Sequence, residues 1–170
     1  YKTKTILQKL PRFAGSTPCF SIVGHENVCF MDGGCGAPQA ADTVETVVAM
    51  GAKRIIAVGM CGVFVSNIAL GDVVIPNKAY VEEGTSLHYY SDMEYSQPTA
   101  YLLNKTLEYF NSKHVTHSAP IVSTDAVFSQ TFAKVHQWRD QGCIGVDMEV
   151  SAIFNVSSYL KADVVDIMLA

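Results

Sequence analysis

The sequence predicts an α/β domain with a largely parallel sheet, and three observations carry that expectation. Short apolar runs alternate with longer segments of helical periodicity along the chain. One run, residues 54–60 (Arg-Ile-Ile-Ala-Val-Gly-Met), is almost wholly apolar, as strands covered on both faces are. Glycine and proline punctuate the boundaries between segments. The length, 170 residues, suffices for one domain with a sizeable core, so residues 1–170 are read as a single domain.

Taken in order, residues 1–18 are mixed, and Lys2, Lys4, Lys9 and Arg12 read as a solvated surface. Two apolar runs, residues 20–23 and 27–31, flank Gly24-His25-Glu26 and predict a β-hairpin. A glycine-rich turn, Gly33-Gly34-Cys35-Gly36, leads to Pro38 in the first turn of a helix. That helix is expected to reach Met50, with Ala40, Ala41, Val44, Val47 and Val48 inward and Gly51 as its stop. The buried strand at 54–60 then passes through Cys61-Gly62 into a loop. Residues 71–76 and 79–81 predict further strands, with Pro76 at a bend or edge. Residues 84–98 are polar and tyrosine-rich, the best candidate for a mobile loop over a site. A helix carrying Leu103, Leu107 and Phe110 follows, then a strand at 119–123 and a helix at 132–138. A strand–helix junction at 143–152 and a last strand at 164–169 complete the pattern. No internal repeat, low-complexity tract or linker interrupts it.

Composition removes several classes of function. Charged residues make up 16% and apolar residues 49%, a globular balance without the signature of disorder. A net charge of −4 and the lack of a basic block argue against nucleic acid as partner. No run of eighteen apolar residues exists, which argues against a membrane helix. Five cysteines, odd in number and without a CxxC pair, fit free thiols in a reduced cytoplasmic setting. The chain starts on Tyr and stops inside an apolar run, so a fragment incomplete at both ends is expected.

The candidates for chemistry centre on the junction. Residues 145–152 (Gly-Val-Asp-Met-Glu-Val-Ser-Ala) set two carboxylates where a buried strand runs into a helix. Ligands of open α/β sheets sit at such strand ends. Buried acids are costly unless paired, and the partner is either a hydroxyl-rich ligand or a nearby basic group or backbone N–H. The glycine turn at 33–36 opens a helix, so its N–H groups are candidates to hold an anion, though a purely structural turn explains it equally well. It lacks the third glycine of a dinucleotide fingerprint and is not a Walker loop. His114 and His117 have metal-like spacing but no third ligand, and no metal site is expected. His25 and His136 read as structural, whereas His88 in the tyrosine-rich loop is kept as a possible substrate contact. No thiol has an evident base partner. Ser123-Thr124-Asp125 either touches a ligand or caps a turn, and Glu82-Glu83 reads as a solvated pair.

Four segments in register resemble the family of purine nucleoside phosphorylases, uridine phosphorylases and related nucleosidases. They are residues 34–38, residues 55–62, residues 70–75, and the pair 123–126 with 146–149. The resemblance covers the chain from about Phe20 to its end. It implies a three-layer-like α/β/α sandwich around a mixed, partly barrel-like sheet, assembled into dimers, trimers or hexamers. It implies cleavage of the N-glycosidic bond of a nucleoside, a pentosyl transfer with phosphate as acceptor and co-substrate, or a hydrolysis with water. It implies no cofactor.

By this resemblance Glu149 accepts hydrogen bonds from the ribose hydroxyls, as an ionised carboxylate facing a vicinal diol can. Met148 and Cys35 join it on the ribose. Cys61, Gly62, Thr124, Val127, Phe128 and Val146 line the base, with Phe128 as the candidate stacking aromatic. Gly34, Gly59 and Met60 line the phosphate or acceptor pocket. Asp147 stands where the family usually has glutamate, a shorter reach that leaves its role open.

Two departures matter more. Ala57 occupies the position of an arginine that grips phosphate in phosphorylases, and Met60 that of a hydroxyl residue. Each charge-assisted bond lost there is worth roughly 1.5–3 kcal/mol, so phosphate is expected to bind poorly. The nucleosidase branch lacks that arginine too. The family's N-terminal strand, with a second phosphate-binding arginine, is expected before Tyr1. A Ser-Asp pair whose aspartate protonates the leaving base is expected just after Ala170, so no residue of this chain is assigned as the catalytic acid. The leading expectation is a phosphorylase-type domain with an altered phosphate site. The alternatives are a nucleosidase and a non-catalytic nucleoside-binding protein. Residues 123–126 lean toward a purine.

Overall fold

A computed structural model describes residues 1–13 and 15–170. The chain opens with three antiparallel strands, β1 (Thr3–Leu7), β2 (Cys19–Ile22) and β3 (His25–Phe30), which form one sheet in that order. The expected hairpin is β2–β3, turning at Gly24 with φ +87°. The first strand is a finding the sequence did not give. Its residues are exposed on both faces, apart from the half-buried Leu7, so no alternation marks it.

Helix α1 (Ala37–Ala49) starts at the glycine turn with Pro38 in its first turn and buries Ala40, Ala41 and Val44. Strands β4 (Arg54–Met60), β5 (Gly62–Val63), β6 (Val73–Val74), β7 (Lys78–Glu82) and β8 (Tyr95–Ser96) follow. Helix α2 (Ala100–Asn111) leads to β9 (Thr116–His117) and β10 (Pro120–Thr124). The chain continues through α3 (Phe132–Asp140), β11 (Gly145–Asp147), α4 (Val150–Tyr159) and β12 (Asp163–Leu169).

Two further sheets carry the order β5-β11-β10-β7-β8 and β4-β12-β6-β9. The β10–β11, β10–β7, β12–β4 and β6–β9 pairs are parallel. The β11–β5, β12–β6 and β7–β8 pairs are antiparallel. The architecture is therefore mixed α/β rather than largely parallel, with helices packed on mixed sheets. Among the described residues no barrel closes.

Helix α4 is the core's centrepiece. Its Val150 and Phe154 pack with Ile121, Val164 and Met168, while Val156 meets Ala41 and Val44 of α1. On the far side of β12, Val165 joins Val73 and Ile75 beneath Leu103, Leu107 and Phe110 of α2.

The strand expected to be buried on both faces is instead an edge. β4 pairs only with β12 among the described residues, and Val58 and Met60 are 77% and 80% exposed. An apolar composition reports what a surface prefers to meet; the position of β4 beside an open cavity decides what it meets here. The tyrosine-rich segment is likewise anchored. A 3-10 turn at Ser86–His88 places Ser86 inside, where it bonds Glu83 and accepts from Asn155 Nδ2 at 2.7 Å.

The pair Glu82–Glu83 is not solvated. Glu82 accepts from Trp138 Nε1 at 2.7 Å and Lys134 Nζ at 2.9 Å. Glu83 is buried and accepts from Ser86 N and Ser151 Oγ, both at 2.9 Å. Replacing Trp138 with phenylalanine leaves Glu82 one donor short at a part-buried site. We expect a loss of about 1–3 kcal/mol in urea unfolding. A loss below about 0.5 kcal/mol sinks that account of the pair.

Candidate active site

A cavity of about 600 Å³ opens between the edges of β3 and β4, over the N-terminus of α4. That size falls within the range of sites for small organic ligands. Residues 29–35, residues 54–60, one side of α1 and the junction acids Asp147 and Glu149 line it, with Asp166 and Met168 of β12.

The junction resolves into two carboxylates with different duties. Asp147 is buried and accepts from Ser123 Oγ at 2.5 Å, Glu149 N at 2.8 Å and Val150 N at 2.7 Å. It thus satisfies backbone donors left open where α4 begins, and its charge faces the positive end of that helix. Burial pushes its carboxyl up to about 6, against the pull of those three bonds. Its role, open in the sequence, is to hold the turn that presents Glu149. Ser123 also accepts from Ser151 N at 2.9 Å, tying β10 into the same network.

Glu149 is half-buried and reaches across to the glycine turn. Its Oε1 accepts from Gly36 N at 2.5 Å, and Oε2 accepts from Met148 N at 3.3 Å. A carboxylate has roughly four lone-pair directions, so about two remain for a ligand in the cavity.

The glycine turn does not offer a free anion cradle. Gly34 N donates to Asp32 Oδ1 at 2.7 Å, Cys35 N to Gln39 Oε1 at 2.7 Å, and Gly36 N to Glu149. Three of the turn's four N–H donors are thus engaged by side-chain oxygens. Gly34 has φ +97°, and a Cβ there would stand 2.4 Å from Gln39 Cγ, so the turn needs glycine.

The cavity collects part of the predicted set. Glu149, Cys35, Gly34, Gly59 and Met60 all line it, as does Ala57. The residues assigned to the base do not. Cys61 is in the core, its thiol pushed up to about 11, chiefly by burial. Thr124 is buried, and Val146 packs with Val122, Trp138 and Cys143. Gly62 lies against Val146, and a Cβ there would meet Val146 Cγ1 at 3.5 Å. Val127 and Phe128 stand in solvent on a 3-10 turn at Val127–Ser129, and Met148 lies outside the cavity lining. Asp125 accepts from Gly84 N at 2.9 Å. His88 is exposed, and His117 meets Asp72 at 2.9 Å.

One site residue escaped the sequence. Asp166 is 3% exposed, lines the cavity, and its Oδ1 has no hydrogen-bond partner. The only signal for it was an acid inside an otherwise apolar strand. Among its described lining residues the cavity thus gathers Asp32, Asp147, Glu149 and Asp166 with one cation, the exposed Arg54. At its wall Arg12 donates to Asp32 O at 3.0 Å and to Thr43 Oγ1 at 2.8 Å. Among the described residues no group of three or more His, Cys, Asp or Glu is arranged to hold a metal. None of the described helices is long and apolar enough to cross a membrane.

The family model of the phosphorylase superfamily matches residues 7–170. The chain belongs to that superfamily. Within it, a guanosine phosphorylase of Halorubrum lacusprofundi is 32% identical over 123 residues, 71% of this chain and 51% of the relative. A DeoD-type purine nucleoside phosphorylase of Vibrio vulnificus is 26% identical across 99% of this chain and 74% of its own length. The chain thus spans about half the length of the first of these phosphorylases. Among solved structures, an AMP nucleosidase from Bacteroides thetaiotaomicron superposes with TM-score 0.79 at 25% identity, over 90% of this chain and 67% of that one. A uridine phosphorylase from Vibrio fischeri superposes with TM-score 0.86 at 23% identity, over 99% and 70%. The superfamily fold expected from the four sequence segments is therefore the fold observed.

Proposed function

We propose that the protein to which this chain belongs binds a nucleoside, preferentially a purine nucleoside, and cleaves its N-glycosidic bond. One observation carries the reading: Glu149 faces the cavity between β3 and β4 with acceptor capacity to spare, while backbone N–H groups fix its carboxylate. A vicinal diol is the ligand group that such a carboxylate fits best. The purine preference rests on the relatives, which are named for guanosine and purine nucleosides. In this reading Cys35 and Met148 flank the ribose. The base residues that the resemblance implies, Cys61, Gly62, Thr124, Val127, Phe128 and Val146, lie outside the cavity lining, and the acceptor enters past Gly34, Gly59 and Met60. The protein works in the cytoplasm as a homo-oligomer.

The leading form is a pentosyltransferase of the phosphorylase type with an altered phosphate site. Hydrolysis is the second form, and a specific observation favours it. Among its described lining residues the cavity holds four carboxyl groups and one exposed arginine, and three donors of its glycine turn are already engaged. A phosphate anion would meet like charge with few donors to bind it.

Incubating the full-length protein with inosine, guanosine, adenosine and uridine, with and without phosphate, and following free base decides the matter. Base release from the purine nucleosides supports the reading. Release that requires phosphate selects the phosphorylase form, and release in its absence the hydrolase. No release in either condition overturns it and leaves a binding protein.

A further inference from the structure

We propose that Asp166 is the base that takes the proton from an attacking water in this cavity, making the acceptor site hydrolytic. The inference rests on the glycosidic-cleavage reading above and decides its acceptor. Four observations carry it. Asp166 sits in the middle of β12, in register with Ala57 of β4, so the side chain beside it is a methyl group. Its residue lines the cavity yet is almost wholly enclosed, and the shielded Oδ1 is without a hydrogen-bond partner. A buried carboxyl oxygen left open in this way is costly unless a donor arrives to meet it. The same cavity carries Glu149, the candidate ribose clamp, so a donor at Asp166 and a sugar at Glu149 share one enclosure.

The surroundings set its basicity. Burial, then the charges of Asp147 and Glu149, push its carboxyl up to about 8. The other titratable or charged groups around it are Asp32, Arg54, Cys29 and Cys35 of the cavity wall and the Cys61 thiol. A base is most effective when its proton affinity lies near working pH, and an ordinary aspartate is too weak for the task. Ionised Asp166 accepts one proton from water as the water oxygen bonds to the anomeric carbon. The carbon–nitrogen bond breaks with its electron pair going to the base, which takes a proton from solvent. Asp166 then returns its proton to solvent, leaving free ribose and free base.

The test uses the full-length protein with inosine as probe. In water enriched in oxygen-18 and without phosphate, we expect labelled free ribose, and kcat rising with pH through a midpoint near 8 to a plateau above it. Asp166→Asn is expected to lower kcat at least about 100-fold with KM within about threefold, and to abolish that rise. Cleavage that requires phosphate and yields ribose 1-phosphate overturns the inference while sparing glycosidic cleavage. So does an Asp166→Asn enzyme with unchanged rate and pH profile. Absence of cleavage under all conditions overturns both. Should Asp166→Asn fail to fold, the oxygen-18 result and the wild-type pH profile still decide.

Discussion

Replacing Glu149 with alanine is expected to weaken nucleoside binding by roughly two to four orders of magnitude while the fold persists. The magnitude follows from the chemistry of the contact. Two ribose hydroxyls donating to an ionised carboxylate make two charge-assisted bonds of roughly 1.5–3 kcal/mol each, and every 1.4 kcal/mol is about tenfold in affinity. The fold should survive because the buried network at the junction runs through Asp147, Ser123 and Ser151 rather than through Glu149. What the variant does lose is the acceptor for Gly36 N at the start of α1. Glu149→Gln separates the two effects, since its amide oxygen can still accept from Gly36 but carries no charge. Titration calorimetry with inosine should rank the wild type above Glu149→Gln and that above Glu149→Ala, with far-ultraviolet circular dichroism unchanged throughout. An affinity for Glu149→Ala within about threefold of wild type removes Glu149 from the site.

Much of this architecture was legible because it rests on local rules. The helix at Ala37–Ala49 is announced by the glycine turn, Pro38 and the inward spacing of Ala40, Ala41 and Val44, and it forms there. The strand–helix junction at Asp147 and Val150 follows from a short apolar run meeting helical periodicity. What escaped depends on neighbours far along the chain. Strand β4 is apolar yet exposed, because an edge position is a property of the sheet and not of the run. Glu83 looks like a surface acid until Ser86, Ser151 and Asn155 converge around it from two other segments. Glu149 was legible as an acid needing a partner. That its partner would be Gly36, 113 residues away, was not. Asp166 is the clearest case. An acid inside Val-Val-Asp-Ile-Met carries no motif, and only the packing of β12 against β4 at the cavity wall gives it a role.

The same placement makes Asp166 a measurable burden on stability, with a definite dependence on pH. In the unfolded chain its carboxyl ionises near the ordinary value of 3.8, whereas in the fold burial and the neighbouring Asp147 and Glu149 hold it up to about 8. Between those values the native state keeps a proton that the unfolded chain has released. Stability therefore falls as pH rises from about 4 to about 8 and is flat in this respect above. Asp147 contributes with the same sign over a narrower window that ends near 6. The interval between 6 and 8 thus belongs to Asp166. Each pH unit in it costs about 1.4 kcal/mol for a fully coupled group. Asp166→Asn removes the ionisation and keeps the shape, so its melting temperature should exceed that of the wild type by more at about pH 8 than at about pH 6, a gap of several degrees. Equal gaps at the two pH values would mean that Asp166 ionises in the fold much as it does in the unfolded chain. A carboxyl kept in so costly a place, with one oxygen unpartnered at the cavity wall, fits a group retained for chemistry rather than for stability.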